Sequence, residues 1–220
     1  MDLVPFRFLD ALLLPVCLAC GAGLELASEL PFCAACLEDW PHETLSTGTI
    51  PGVSPVLCLW PYRGPVRRMV VRAKEEPGSP ALRYLVAQLN GALAQSGLEP
   101  GALVRVPPSR RRRWRGWHLA GELALGLRAQ LGWAVGPPLR RQRERPAQAG
   151  LDGRARRGNL QGTFAVGRAL GRGRAAARAW VVDDIVTTGA TLAECSRALR
   201  AAGVERVGGL AVARVPAQPP

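Results

Sequence analysis

With 220 residues, 48% of them apolar and 21% charged, the chain carries enough nonpolar side chains to pack a core, which excludes global disorder. No uncharged run approaches the roughly 20 apolar residues that a membrane-spanning helix needs, and the opening MDLVPFRFLDALLLPVC, with no basic leader or small-residue cleavage site, reads as part of the mature fold. A formal charge of +12, with Lys74 the only lysine among 29 basic residues, favours anionic partners but does not separate a nucleic-acid surface from a nucleotide or pyrophosphate pocket.

Arginine suits bidentate phosphate contacts, although coding bias accounts for the same ratio equally well. The first organised stretch is CLAC…CAAC, in which Cys17, Cys20, Cys33 and Cys36 form two C-x-x-C knuckles separated by twelve residues. Each knuckle delivers two thiolates from a tight turn, and four converging thiolates satisfy a tetrahedral ion, so the spacing predicts a zinc site. With every position filled by cysteine, no place is open for water, and the ion is structural. Gly21 and Gly23 let the backbone double back after the first knuckle. Disulfides are disfavoured in a charge-rich chain with no secretory signal. Cys58 and Cys195 lie outside the pattern and read as packing residues, and His42 reads as a surface residue. Residues 40–55, rich in Thr, Ser, Gly and Pro, read as a connector. The expected organisation is a metal module over residues 1–45 and a larger domain over 46–220.

Beyond the connector, VLCLWPY reads as a strand, and PVRRMVVRAK and SPALRYLVAQLNGALAQ read as helices. Residues 102–106 form a strand, followed by the loop PPSRRRRWRG and the helix HLAGELALGLRAQLG. ARAWVVDDIV has the continuous apolar run of a central parallel strand buried on both faces. TLAECSRALRAAG is a helix stopping at Gly203, and VERVGGLAVARV is a further strand. This alternation predicts an α/β domain with a parallel sheet flanked by helices, in which ligands bind at the carboxyl ends of the strands.

VVDDIVTTGAT places its polar half at such an end. Asp183 and Asp184 offer carboxylates to the vicinal hydroxyls of a ribose. Thr187, Thr188, Gly189, Ala190 and Thr191 form a turn into the next helix, whose N–H groups, hydroxyls and dipole suit a phosphate. Gly189 permits close backbone approach and Ala190 keeps the floor small. An acidic pair repels a bare phosphate, so hydroxyls at one end and phosphate at the other point to a sugar phosphate. A plain helix cap would need one such residue, not two acids and three threonines.

VVDDIVTTGATL resembles the phosphoribosyl pyrophosphate (PRPP) loop of type I phosphoribosyltransferases. Together with the cysteine knuckles, YRGPVRRMVVRAK, VRVPPSRRRRWRGWHLAGELA and RQRERPAQAGLDGRARRGNLQGTF, it makes the chain similar to the ComF family of competence-associated, phosphoribosyltransferase-like proteins over residues 17–214. The resemblance implies a hood at about residues 56–98 and a core at about 101–216. It also implies that Asp183 and Asp184 bind the ribose hydroxyls and are the catalytic residues, while Thr187, Thr188, Gly189, Ala190 and Thr191 bind the 5′-phosphate. Pro107, Pro108, Ser109 and Arg115 would face the pyrophosphate with Mg²⁺, and residues 140–164, with Gln148, Arg157 and Asn159, would form a closing loop. Two departures stand out: His118 where the family often has asparagine, and Glu75 where an aromatic usually follows the lysine. Lys74 then has two readings, a contact with the site or, the preferred one, a solvated helix end.

Three functions fit. The first is a transferase moving ribose 5-phosphate from PRPP to an acceptor, with arginines neutralising the departing pyrophosphate and a lid excluding water. The second is a non-catalytic PRPP or nucleotide sensor serving DNA uptake or processing. The third is a single-stranded DNA binder using Arg110, Arg111, Arg112, Arg113 and Trp114. Trp114, Trp117 and Trp133 are the aromatics able to stack a base, or to pack in the core or the hood. The expected setting is the cytoplasm, with other competence or DNA-processing proteins as partners.

Overall fold

The computed structural model describes residues 15–25, 28–42, 46–108, 116–142, 162–167 and 176–216. Five strands, β1 (Ser46–Ile50), β2 (Val53–Pro61), β3 (Ala102–Arg105), β6 (Arg178–Val186) and β7 (Arg206–Arg214), form one sheet in the order β1-β2-β7-β6-β3. β2, β7, β6 and β3 run parallel, and β1 is antiparallel to β2. β6 and β7 lie at its centre and are buried along nearly their whole length, which is why their sequences read as unbroken apolar runs rather than alternating ones.

Helices cover both faces. On one side lie α2 (Gly64–Glu75), α3 (Pro80–Ser96) and α4 (Leu119–Leu131). Buried Val66, Met69, Val70 and Ala73 give α2 its apolar stripe, at the i, i+3, i+4, i+7 spacing of a helix. Ser79 caps α3 by accepting from the Leu82 amide at 3.3 Å, and Gly97, at φ 66°, ends it. The opposite face carries α5 (Ala190–Ala201), with Leu192, Cys195, Ala198 and Leu199 packed on Val56, Cys58, Val181 and Ala211. Trp180 fills the gap left by two glycines: a side chain on Gly101 or Gly208 would run into its ring. Its Nε1 donates to the Glu99 carbonyl at 3.1 Å, and Trp133 stacks beside it with ring centroids 6.3 Å apart.

Two segments differ from the sequence reading. The expected connector at residues 40–55 contains β1 and the start of β2, joined through Gly52 at φ 77°. β1 escapes a periodicity reading because it is an edge strand, exposed along most of its length, so no alternation marks it. The expected closing loop begins and ends in a ribbon: β4 (Leu139–Arg141) pairs antiparallel with β5 (Phe164–Val166), and the Gln142 amide donates to the Thr163 carbonyl at 2.8 Å. Gln148, Arg157 and Asn159 of that loop lie outside the described residues. Among the described residues no helix is long and apolar enough to cross a membrane.

Candidate functional site

β6 brings both acids to the carboxyl edge, inside the strand rather than beyond it, because Ile185 and Val186 continue the pairing with β7. Side chains alternate along a strand, so the neighbouring acids face different layers. Asp183 aligns with Ala211 of β7 and, one strand further, with Cys58 of β2, on the α5 side. Asp184 turns to the α2 side, where its Oδ2 meets Lys74 Nζ at 2.8 Å. Both are buried, at 9% and 5% exposure. Each carboxylate accepts from the next backbone amide: Asp184 N to Asp183 Oδ1 at 2.9 Å, and Ile185 N to Asp184 Oδ1 at 2.8 Å.

Burial first, and then the neighbouring Asp184 charge, push the Asp183 carboxyl up to about 8. Its surroundings explain this: the neighbouring Ala211, Cys58 and Cys195 are buried and nonpolar. Burial likewise raises the Cys58 thiol to about 11, and the Cys195 thiol rises too. Both are inert packing groups, as their placement in the sequence implied.

On the α2 side a pocket of about 180 Å³ opens between Asp184, Lys74, Val71 and Glu75, with Trp117, His118 and Leu119 on its far wall. Here the structure corrects the preferred of the two sequence readings of Lys74. Lys74 is not a solvated helix end: its side chain is 23% exposed and paired with Asp184. The sequence shows only Glu75 where an aromatic usually follows the lysine, and it is the tertiary fold that brings Lys74 of α2 against β6. Trp117 faces this pocket, whereas Trp133 stacks on Trp180 near Gly101, where β3 and β6 begin, away from both acids.

The turn after β6 leads directly into α5, which begins at Ala190. Gly189 holds φ 76°, and a Cβ there would stand 2.5 Å from Ile50 Cδ1, so both backbone and packing demand glycine. Thr187 is exposed, Thr188 and Thr191 are half-buried, and Ala190 lies buried beneath them. Thr188 Oγ1 accepts from the Ala190 amide at 3.4 Å. Amide donors, hydroxyls and the positive end of a 12-residue helix therefore meet at the strand edge, an arrangement suited to an anion. Pro107 and Pro108 adjoin this edge, because the Val106 amide donates to the Val182 carbonyl at 3.0 Å. Ser109, Arg110, Arg111, Arg112, Arg113, Trp114 and Arg115 lie outside the described residues.

Cys17, Cys20, Cys33 and Cys36 form a second centre, with all four sulfur atoms within 4.8 Å of one another. The Gly21 amide donates to the Cys17 carbonyl at 2.8 Å and the Cys17 amide to the Ala22 carbonyl at 2.7 Å, closing the first knuckle, with Gly21 at φ 81°. Cys33 caps the short helix α1 (Ala34–Glu38), which carries Cys36. The Leu18 amide donates to the Pro31 carbonyl at 2.9 Å and ties the knuckles together. Four thiols at this separation fit a tetrahedral structural ion such as zinc. Arg68 of α2 donates to Cys36 Sγ at 3.4 Å, an outer contact of the kind that orients a ligating sulfur.

No protein-family model matches the chain. The chain is similar to Competence protein F of Haemophilus influenzae, with 28% identity over 204 residues covering 88% of this chain and 82% of that protein. It is also similar to DNA utilization protein YhgH of Escherichia coli O157:H7, with 30% identity over 196 residues covering 87% of this chain and 81% of that protein.

Proposed function

Because the chain belongs to the ComF family, we propose that it serves the uptake or use of DNA, as the names of its two relatives suggest, and that it binds PRPP at the carboxyl edge of the sheet. The observation that carries the ligand reading is the union, on one strand, of two buried acids and a glycine turn that opens a helix. PRPP combines ribose hydroxyls, a 5′-phosphate and a pyrophosphate. The carboxylates accept from the hydroxyls, and the turn at residues 187–189 with the start of α5 receives the 5′-phosphate. Lys74, beside Asp184, offers a cation toward the pyrophosphate side, where Mg²⁺ accompanies the ligand. Zinc in the four-cysteine centre has a structural role.

Titration calorimetry of PRPP with Mg²⁺ into metal-loaded protein tests this. Saturable binding that weakens at least about 10-fold in Asp183→Asn/Asp184→Asn is the expected result, since a charge-assisted hydrogen bond such as one to Asp184 contributes about 1.5–3 kcal/mol. Unchanged affinity in that variant overturns the assignment. Pyrophosphate release against a panel of bases and amines then separates a transferase from a sensor.

The charge of +12 favours a second contact, with single-stranded DNA through the arginine run that follows Pro107 and Pro108. Binding that weakens with salt and with neutral replacement of Arg110, Arg111, Arg112 and Arg113 supports it. Affinity indifferent to both rules it out.

A further inference from the structure

Helix α2 touches both centres. At its start, the Asp39 carboxylate sits against Gly64, 3.0 Å from where a Cβ would stand. One turn on, Arg68 donates to Cys36 Sγ at 3.4 Å and pairs with Asp39 at 3.5 Å, so it engages the second knuckle. A further turn along the same flank, the Arg72 guanidinium fills the space that a side chain on Gly21 would take, so it covers the first knuckle. Lys74 comes two residues later, about 200° around the helix. It therefore leaves from the other flank and reaches Asp184. Between the two flanks runs the buried stripe of Val66, Met69, Val70 and Ala73.

We propose that α2 is a strut joining the four-cysteine centre to the strand-edge pocket, with Arg68 as a positioning residue that acts on the pocket through Lys74. The charges explain why arginines face the knuckles. Four thiolates around a divalent ion carry a net charge of about −2, and Arg68 and Arg72 offset it. When the ion leaves, the cluster that Arg68 grips loses its shape and this end of the strut is released. Arg68 and Lys74 are only about 9 Å apart along the helix axis, at about 1.5 Å rise per residue. A close-packed stripe passes small displacements along rather than absorbing them, so a shift at Arg68 arrives at the Lys74–Asp184 pair. The proposal depends on the PRPP reading only for its effect on that ligand.

Lys74, the only lysine in the chain, supplies a direct reporter. Protein grown with ¹³C-lysine gives a single lysine side-chain signal set, and Asp184→Asn defines its position when the pair is broken. In Arg68→Met, which keeps all four thiolates, the signal is expected to move part of the way toward that position. Removing the metal under reducing conditions is expected to move it further, and PRPP affinity to fall about 5-fold in Arg68→Met, at the modest end for coupled sites. A Lys74 signal identical in the metal-loaded parent and in folded Arg68→Met overturns the strut, whatever happens to the metal-free form. If the signal moves while the metal-loaded parent binds no PRPP, the strut stands and the ligand reading falls.

Discussion

Lys74→Met removes one half of a buried ion pair and nothing else of comparable weight. At 2.8 Å and an effective dielectric of about 20, the attraction amounts to about 6 kcal/mol, offset in large part by the several kcal/mol needed to desolvate each ion. The net value of the pair is therefore small, but the cost of breaking it from one side is not. Losing only the cation leaves the Asp184 carboxylate, whose side chain is 8% exposed, beside a second buried acid. Such one-sided losses cost about 3–5 kcal/mol, and the partial exposure of Lys74 puts this case at the lower end, about 3. Asp184→Asn costs about 1 kcal/mol, because the lysine can extend to water and Asp183 loses a repulsive neighbour. The double variant should cost about 1 kcal/mol relative to the parent, giving a coupling energy of about 3 kcal/mol. Urea unfolding followed by the fluorescence of the chain's 6 tryptophans measures all three. Single-variant losses that add to within about 0.5 kcal/mol would refute the argument, since additivity is the mark of groups that do not interact.

A pH dependence follows from Asp183. In the unfolded chain this group ionises near 3.8 and in the folded protein near 8, so the folded state holds the proton more tightly. Its contribution is fully present below the lower value and is lost as pH rises through the upper one. Asp183→Asn should therefore flatten the fall in stability between these pH values, and an unchanged slope in urea midpoints against pH counts against it. Gly189→Ala should cost about 2 kcal/mol through its left-handed backbone and the Ile50 contact. Ile50→Val, which deletes Cδ1, should recover part of that loss in thermal unfolding, and full additivity of the two changes contradicts the steric account. A colorimetric chelator should release about one ion per chain from freshly purified protein and lower its melting temperature. Metal-free protein with an unchanged melting temperature counts against the four-cysteine centre.

Much of this molecule was legible because its central elements are extreme. β6 and β7 are buried on both faces, so they show unbroken apolar runs, and paired cysteines at short spacing have few other meanings. The last helix announced its end through Gly203 as well as through periodicity. Elements with little to bury were silent: β1 is exposed at the sheet edge, and β4 and β5 are three residues each. The opposed facing of Asp183 and Asp184 was implicit in the period of two, but it acquires meaning only when α2 is known to cover one face and α5 the other. Lys74 illustrates the general limit. A lysine at a helix end between arginine and glutamates is locally indistinguishable from a solvated one, and its partner lies 110 positions away in sequence.

The aromatic residues around the knuckles decide where this chain can be cut. Phe32 packs against Trp40 at 4.6 Å and Tyr84 at 5.2 Å, and Trp40 meets Trp60 edge-on at 5.5 Å between ring centroids. Two of these rings precede residue 46 and two follow it, so a fragment starting there would present Trp60 and Tyr84 to water as a bare apolar face. Poor solubility of such a fragment would report the missing rings, whatever the loss of metal does to the ligand site.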